Sequence, residues 1–541
     1  MKNNIVYTLL LSVSLLLGSC ENNFDAQIYG QLSTASFPKT AAEYEDYMLS
    51  SYLPFQCKWS YVWGDGGTNY PWYTPASGIY HGFDMCSDQE AEWNIANNSQ
   101  LWTDMSRCYF ENLKTATKNS TGTGGYNHFE KVRDISRMTK VIGDLEAATV
   151  LTDTRKRELL GEVRLLRGLM MYYLLHYYGP LPVILDPALI GNTEAENNLV
   201  RPSLTEMTQY ITDDLLFATE NAPEKQSERG RMTADYARFC LMRHYLNEGA
   251  HMSGYYEKAY NMYSQFTGNY SLFTTGNNPY IDQFKQANNW NSEVIMALSV
   301  DPKATGGNTA GSFNCFMVYS LPKDCAATDS DGNPTPFLNG KGWGQYLNVS
   351  KLFYETYEQD DLRKASVITS YYSTSYNSWV TSNDIGSKWS GFILNKYPIE
   401  VKSQYQPGNI PLARWADVLL MYAEADVRKS NTVTAIAINN VNLVRHRAGL
   451  GDLPTSATSS VSAFMDALLI ERGHELLFEG CRKIDLIRFN KYYTTMSAFG
   501  ASRTPTSQYI PLPDYAVQLA KNAGKTLTQY FTRDDYDGPA K

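Results

Sequence analysis

Apolar positions recur at helical spacing through much of the chain, and they do so in pairs. Segments 126–148 and 154–178, parted by the turn Thr152-Asp153-Thr154, read as two consecutive helices. The second is apolar nearly all round (Leu165, Leu166, Leu169, Met170, Tyr173, Leu174, Tyr177), the mark of a helix buried on every side. It stops at Gly179-Pro180-Leu181-Pro182, where glycine permits a left-handed turn and proline cannot continue the hydrogen-bond ladder. The same spacing predicts helices over 203–221, 233–251, 255–266, 413–430, 434–447, 462–479 and 482–494. Adjacent pairing of this kind is the layout of a helical-hairpin repeat protein such as a tetratricopeptide array, although no regular period of about 34 residues emerges.

Polar stretches interrupt the helices. Asn119–Gly125 is rich in Gly, Thr and Ser; 302–342 is crowded with Gly, Asn, Pro and Thr; 366–391 is rich in Ser, Thr and Tyr; 452–462 is a Ser/Thr linker. Long loops inside an ordered domain often carry function. The pattern predicts an all-α helical scaffold bearing a loop-built face.

The N-terminus is of another kind. Met1-Lys2-Asn3-Asn4 precedes an apolar run from Ile5 to Leu17, too short to span a bilayer, and Leu17-Gly18-Ser19-Cys20 has the small residues that a lipoprotein signal peptidase cuts before cysteine. Residues 1–19 are read as a signal peptide and Cys20 as the lipidated first residue of a body anchored to a bacterial membrane; an ordinary secretory signal is the alternative.

Composition narrows the partners. With 43% hydrophobic and 19% charged residues the chain is globular, and a net charge of −9 without a Lys/Arg-rich block argues against nucleic acid. Beyond Cys20 the cysteines are Cys57, Cys86, Cys108, Cys240, Cys315, Cys325 and Cys481, an odd set in which Cys57–Cys86 or Cys315–Cys325 could bridge a loop. No CxxC occurs and there are only 7 His, so neither a metal nor a cofactor is expected.

Enzyme signatures fail in turn. His474-Glu475-Leu476-Leu477-Phe478 puts Phe where a zincin needs its second His, Leu519 replaces the first Gly of a phosphate loop ending in Gly524-Lys525-Thr526, and no GxSxG is present. A glycosidase carboxylate pair among 56 acidic residues is not visible in sequence, so this exclusion is the weakest. The charged positions Arg414, Asp417 and Glu424, beside the apolar Trp415, Val418, Leu419 and Tyr422, read as a structural stripe whose carboxylates take an arginine from a neighbouring helix, Arg445, Arg447 or Arg472. Arg482, Asp485 and Arg488 stand three apart, as ion pairs along one helix do.

The affirmative signal is aromatic. There are 40 Tyr and 10 Trp; Trp59, Trp63, Trp72, Trp93 and Trp102 cluster with Tyr61, Tyr70, Tyr73 and Tyr80 in a stretch broken by Gly and Pro. Trp rings in loops offer flat faces to the C–H face of a pyranose, and Asp65, Asn69, Asp88 and Asn94 could serve its hydroxyls. About half of these rings are expected to be core instead, Trp102 first among them. A second group comprises Trp290, Tyr319, Trp343 and Tyr346.

Several segments resemble the SusD/RagB family. They are Glu162-Val163-Arg164-Leu165-Leu166-Arg167-Gly168 running to Tyr177-Tyr178-Gly179-Pro180-Leu181-Pro182; Arg231-Met232-Thr233; Arg414-Trp415-Ala416-Asp417-Val418-Leu419-Leu420-Met421-Tyr422-Ala423-Glu424-Ala425; Asn442 to Gly449; Glu471-Arg472 through Arg482; and Asp485 to Phe489. With Cys20 and Pro511-Leu512-Pro513 they cover residues 20–541, read as one SusD-like domain with helical repeats over 20–300 and the SusD/RagB-type part over 301–541. The end departs from the family: Leu527-Thr528-Gln529-Tyr530-Phe531-Thr532 stands where L-x-Q-N-P-G-Y is usual. The resemblance implies a tetratricopeptide-like fold and a non-catalytic outer-membrane lipoprotein, facing the cell exterior, that captures oligosaccharides for a SusC-like TonB-dependent transporter. It also implies sugar-stacking roles for Trp93 and Trp343; the residues themselves offer Trp63, Trp72, Asp88, Asn94, Trp290 and Tyr319 as further candidate contacts. Two alternatives stay open: a surface glycoside hydrolase or lyase on an α/α helical toroid, and a RagB-like lipoprotein that captures peptides.

Overall fold

The computed structural model describes residues 37–537 except 60, 63–67, 76, 92–99, 116–127, 198–199, 302–311, 339–341, 343–344, 382–383, 385–390 and 501–502. Cys20 and the signal peptide thus lie outside the described residues. Phe37 to Tyr44 belong to a small N-terminal unit in which the Lys39 and Thr40 amides donate to the Glu43 carboxylate. Residues 45–541 form the second unit.

Its principal helices are α1 (Val132–Ala147), α2 (Asp153–Tyr178), α3 (Leu204–Asn221), α4 (Ala234–Glu248), α5 (Tyr255–Met262), α6 (Trp415–Ser430), α7 (Ala435–Arg447), α8 (Val461–Glu475) and α9 (Arg482–Arg488). Each of α1 to α5 packs on the next, and α5 packs on α6, so the repeat resumes after the long excursion 263–414. The all-α, tetratricopeptide-like reading holds, and a few short strands accompany the helices. Val294–Leu298 pairs antiparallel with Ile410–Arg414, Phe392–Leu394 lies between Asn348–Val349 and Val367–Ile368, and Ser370–Ser373 forms a hairpin with Ser378–Thr381. Among the described residues no helix is long and apolar enough to cross a membrane.

Local chemistry explains the ends. The Thr152 hydroxyl accepts from the Arg155 amide to start α2, and Gly179, at φ 76°, closes it. Ser203 and Glu206 form a reciprocal capping box on α3. The backbones of α2 and α3 approach at Gly168, where a Cβ would stand 3.1 Å from Asp214 and Leu215 side-chain carbons.

Charges are paired deep inside. On α2, Arg164 and Arg167 donate to Asp214 of α3 at 2.8 and 2.7 Å, while Glu162 accepts from Arg231 at 2.6 Å. Asp417 on α6 takes Arg472 from α8, as the sequence suggested, and also Arg243 from α4, each at 2.7 Å. Glu424 takes Arg428 and Arg488, both at 2.8 Å.

Three expectations are corrected. Arg414 is not on the α6 stripe: it ends a strand and enters a buried cage, donating to Glu293, Glu475 and Glu479 at 2.6, 2.8 and 2.5 Å. Arg447 joins the same cage and Arg445 turns to Glu471 and Glu358, so neither serves the α6 carboxylates. Of the three spaced charges, Asp485 and Arg488 do pair at 2.7 Å, but Arg482 leaves the helix to bind Asp88.

Neither suggested disulfide forms. All seven described cysteines are free and buried. The Cys86 thiol donates to the Gly82 carbonyl, and Cys315 has Cys57, not Cys325, as its sulfur neighbour. Burial pushes the Cys86 and Cys240 thiols up to about 12, leaving them protonated and inert near neutral pH.

Candidate functional site

The N-terminal loops are clamped to the helical body through residues 84–91. Both carboxylate oxygens of Asp84 accept backbone N–H groups, from Gly480 at 2.6 Å, Cys481 at 3.1 Å and Arg482 at 3.2 Å. Burial nevertheless pushes this carboxyl up to about 7. Gln89 donates to the Gly473 carbonyl and accepts from the Phe478 amide. Arg503, fully buried, donates to the carbonyls of Ser87, Glu90 and Ser106 at 2.7, 2.8 and 2.7 Å, so a single guanidinium ties the 87–90 loop to the end of the helix Gln100–Ser106.

The excursion after α5 is sewn onto the same segment. The Ala91 amide donates to Asn348, the Ser350 amide to Gln89 and the Phe313 amide to Cys57, at 2.8, 2.8 and 3.0 Å. Tyr346 and Leu347 both donate their amides to the Tyr319 carbonyl. Rings from three separate stretches thereby converge. Trp102 lies nearly parallel to Tyr319 at 6.1 Å; Tyr346 meets Trp102 at 4.9 Å and Tyr319 at 5.8 Å; Trp59 meets Tyr319 at 5.8 Å and Phe313 at 5.2 Å. The Trp59 side chain hydrogen-bonds Tyr405, whose ring lies 4.9 Å from Phe313. Trp102 and Tyr319 are buried at 8% and 5% exposure, while Trp59, Tyr346 and Tyr405 are half-buried. The array therefore has a buried back and an accessible front, and none of its rings carries a formal charge. Such a surface can cover the apolar face of a sugar ring at low rotamer cost.

Of the residues singled out in the sequence, Tyr319 lies in this array, as the ring that supports Trp59 and Tyr346. Trp63, Trp93, Asn94 and Trp343 fall outside the described residues. Two assignments are corrected. Trp72 is wholly buried: it stacks on His128 at 4.5 Å and 13° and its indole N–H donates to the Met170 sulfur, so its loop setting did not mean exposure. Asp88 is 3% exposed and holds Arg482 in a two-pronged pair at 2.8 Å on each oxygen, which removes it from any ligand face. Trp290 is half-buried with the Arg229 guanidinium 5.4 Å over its ring, and it is not among the rings of the array. Phe313 and Tyr405 were missed; single rings in two stretches far apart in the sequence give no periodic signal.

Three titratable groups elsewhere, His474, Glu475 and Asp282, have structural partners. His474 stacks on Tyr357 at 3.9 Å and bonds Thr356, and Glu475 sits in the arginine cage. Burial works to raise the Glu475 carboxyl, yet Arg447, Arg414 and Arg363 hold it well below the usual carboxylate range. A cavity of about 610 Å³ near Phe273 and Asn278 contains Asp282, whose carboxylate is already taken by Lys285 and the Asn278 amide.

The comparisons with known proteins bear on this architecture. The SusD family model matches residues 261–515, and a second, described as starch-binding associating with outer membrane, matches residues 73–246. The chain belongs to the SusD/RagB family. A SusD-like protein of Bacteroides ovatus is 26% identical over 446 residues, 78% of this chain and 73% of that one. Among solved structures, surface glycan-binding protein A of Bacteroides thetaiotaomicron in complex with laminarihexaose is similar, with a TM-score of 0.66 and 20% identity over 91% of this chain and 99% of that chain. Surface glycan-binding protein A of Bacteroides fluxus gives 0.68 and 18%, over 91% and 99%. At such identities the structural likeness shows the SusD-like fold.

Proposed function

We propose that this SusD/RagB protein captures neutral oligosaccharides on the aromatic face of Trp59, Tyr346 and Tyr405 and passes them to a SusC-like TonB-dependent transporter of the outer membrane, to which Cys20 tethers it by lipid. The observation that carries the reading is the half-buried Trp59 and Tyr346 fixed against the buried Tyr319 and Trp102. A rigid uncharged aromatic wall stacks on pyranose rings without a desolvation penalty for fixed charge. Family membership supports it, as does the similar protein whose structure holds laminarihexaose. The stacking roles of Trp93 and Trp343 rest on sequence alone.

Four of the described carboxylates, Glu293, Glu471, Glu475 and Glu479, are committed to arginine or lysine and so offer no catalytic pair. The test is affinity electrophoresis of the purified body against neutral plant, microbial and host polysaccharides, with product analysis of the same mixtures. Retardation without released sugars is expected. Released sugars would favour the hydrolase or lyase, and retention of peptides alone would favour peptide capture.

A further inference from the structure

A second aromatic surface stands on the hairpin Ser370–Ser373/Ser378–Thr381. The segment Ser370-Tyr371-Tyr372-Ser373-Thr374-Ser375-Tyr376-Asn377-Ser378-Trp379-Val380-Thr381 has no charged residue. Its two faces differ sharply. Tyr371 and Val380 are buried in a core with Met317, Leu321, Phe337 and Ile393, while Trp379 and Tyr376 are 49% and 44% exposed. Exposed edge strands are ordinarily guarded by lysine, proline or a covering element, because an open, apolar edge invites association. This hairpin carries no lysine and no proline and presents a tryptophan.

We propose that Trp379, with Asn377 and Tyr376, is a second carbohydrate-contact site that stacks on one pyranose of a polymeric neutral glycan; the inference rests on the glycan-capture reading above. The ring is held ready. Trp379 lies directly across the ladder from Tyr372, with centroids 6.2 Å apart and planes at 81°, an edge-to-face pair that fixes its orientation before any ligand arrives. The Tyr372 hydroxyl donates to the Asn377 side-chain oxygen at 2.8 Å, which commits the amide's acceptor inward and turns its two N–H donors toward solvent, where sugar hydroxyls would meet them. Rigid aromatics beside Ser, Thr and Asn are the composition with which adaptable hydrogen-bonding surfaces are built.

The hairpin is not a loose appendage. Ala326 and Thr374 amides donate to Tyr372 and Asp324 carbonyls at 3.1 and 2.8 Å, and the Tyr371 hydroxyl donates to the Asp324 carboxylate at 2.9 Å. Met317 and Leu321, in the core beneath it, flank Tyr319 of the aromatic wall in sequence. A glycan chain long enough to reach both stacking sites would meet the second at a raised local concentration. A short oligosaccharide held at the wall gains nothing from it.

The experiment measures Kd by titration calorimetry for the parent, Trp379→Ala and Trp379→Phe. The probes are laminarin, soluble starch and whichever other neutral polysaccharide retards the parent, each beside a hexasaccharide of the same glycan. Trp379→Ala should weaken polymer binding about three- to tenfold, the range set by one stacking contact. Hexasaccharide affinity and melting temperature should stay unchanged, and Trp379→Phe should keep most of the polymer affinity. Polymer binding equal to the parent's in Trp379→Ala overturns the second site while leaving glycan capture standing. Equal loss for polymer and hexasaccharide overturns it too, by making the hairpin part of the first site. A parent that binds no polysaccharide removes the glycan reading and this inference with it.

Discussion

The helical body around α6 and the aromatic wall fed by Trp59, Trp102, Tyr319 and Tyr346 are both largely buried, yet they are held by opposite means. Around α6 the interior is full of charge: Arg414, Arg447, Arg472 and Arg488 meet Glu293, Glu475, Asp417, Asp485 and Glu424 with little exposure to water. The wall has none on its rings, and its loops are fixed by backbone hydrogen bonds and by Arg503 reaching three carbonyls. Buried ion pairs are directional and intolerant of the wrong partner, which suits a scaffold that must repeat in one register. A ligand face gains from the reverse arrangement. Rings that need no counter-charge can be covered or uncovered by a neutral ligand at little electrostatic cost.

The largest effect should come from breaking the charged region. Asp417 satisfies Arg472 and Arg243 together, and leaving buried charges unpaired costs about 3–5 kcal/mol. Asp417→Ala is expected to lower the melting temperature and the folded yield severely, while any folded fraction binds glycan as the parent does. A thermal melt with binding measured on the folded fraction checks this; full stability together with lost binding would reverse the roles of the two regions.

Proton titration separates the regions by sign. Burial works to raise Asp417, but Arg472 and Arg243 overcome it and hold the carboxyl at about 2, below its unfolded value near 3.8. Its contribution to stability is therefore complete above about pH 4 and is lost as pH falls through about 2. Asp84, beneath the wall, is pushed by burial up to about 7 from 3.8, so its contribution is complete below about pH 4 and fades as pH rises through about 7. Carboxyl-carbon NMR on labelled aspartate should find the two resonances titrating at opposite ends of this range. Asp84 titrating near 2 would mean that its three backbone donors outweigh its burial.

The covalent anchor gives a simpler outcome. Cys20→Ala should move the protein out of the membrane fraction in cells lacking the transporter, because Glu21-Asn22-Asn23 offers no apolar surface to a bilayer. Continued membrane association would contradict the lipobox.

The helices were legible because a buried α2 and the capped starts at Thr152, Ser203 and Thr434 leave periodic and chemical marks in sequence. The C-terminal ends of α2, α3, α6 and α7 fall where the sequence put them, while those of α4 and α8 were read too long. The helix expected over 462–479 stops at Glu475, since Phe478 and Gly480 adopt φ 51° and 74°. The hairpin at 370–381 was taken for loop on composition; Tyr371, Tyr372 and Ser373 are all buried in succession, so no alternation marks it as a strand in sequence. Asp417 with Arg472 was legible as a stripe needing a partner; Arg243, on a helix 174 residues away, was not. At the candidate site the failure was one of inference from loops to exposure. Trp72 stands among Gly and Pro residues and Asp88 in the same Trp-rich stretch, and both are nonetheless interior, because α2 and α9 close over them through Met170, Tyr173 and Arg482.

The central claim is that the uncharged wall binds sugar while the charged body only holds it in place. Calorimetric titration of Trp59→Ala, with a polysaccharide that retards the parent, tests this most directly when run beside a thermal melt. Loss of one stacking ring should weaken binding about tenfold, about 1.4 kcal/mol, with the melting temperature within a few degrees of the parent's. Binding equal to the parent's, or binding lost only in step with unfolding, would contradict the account and return Trp59 to the core.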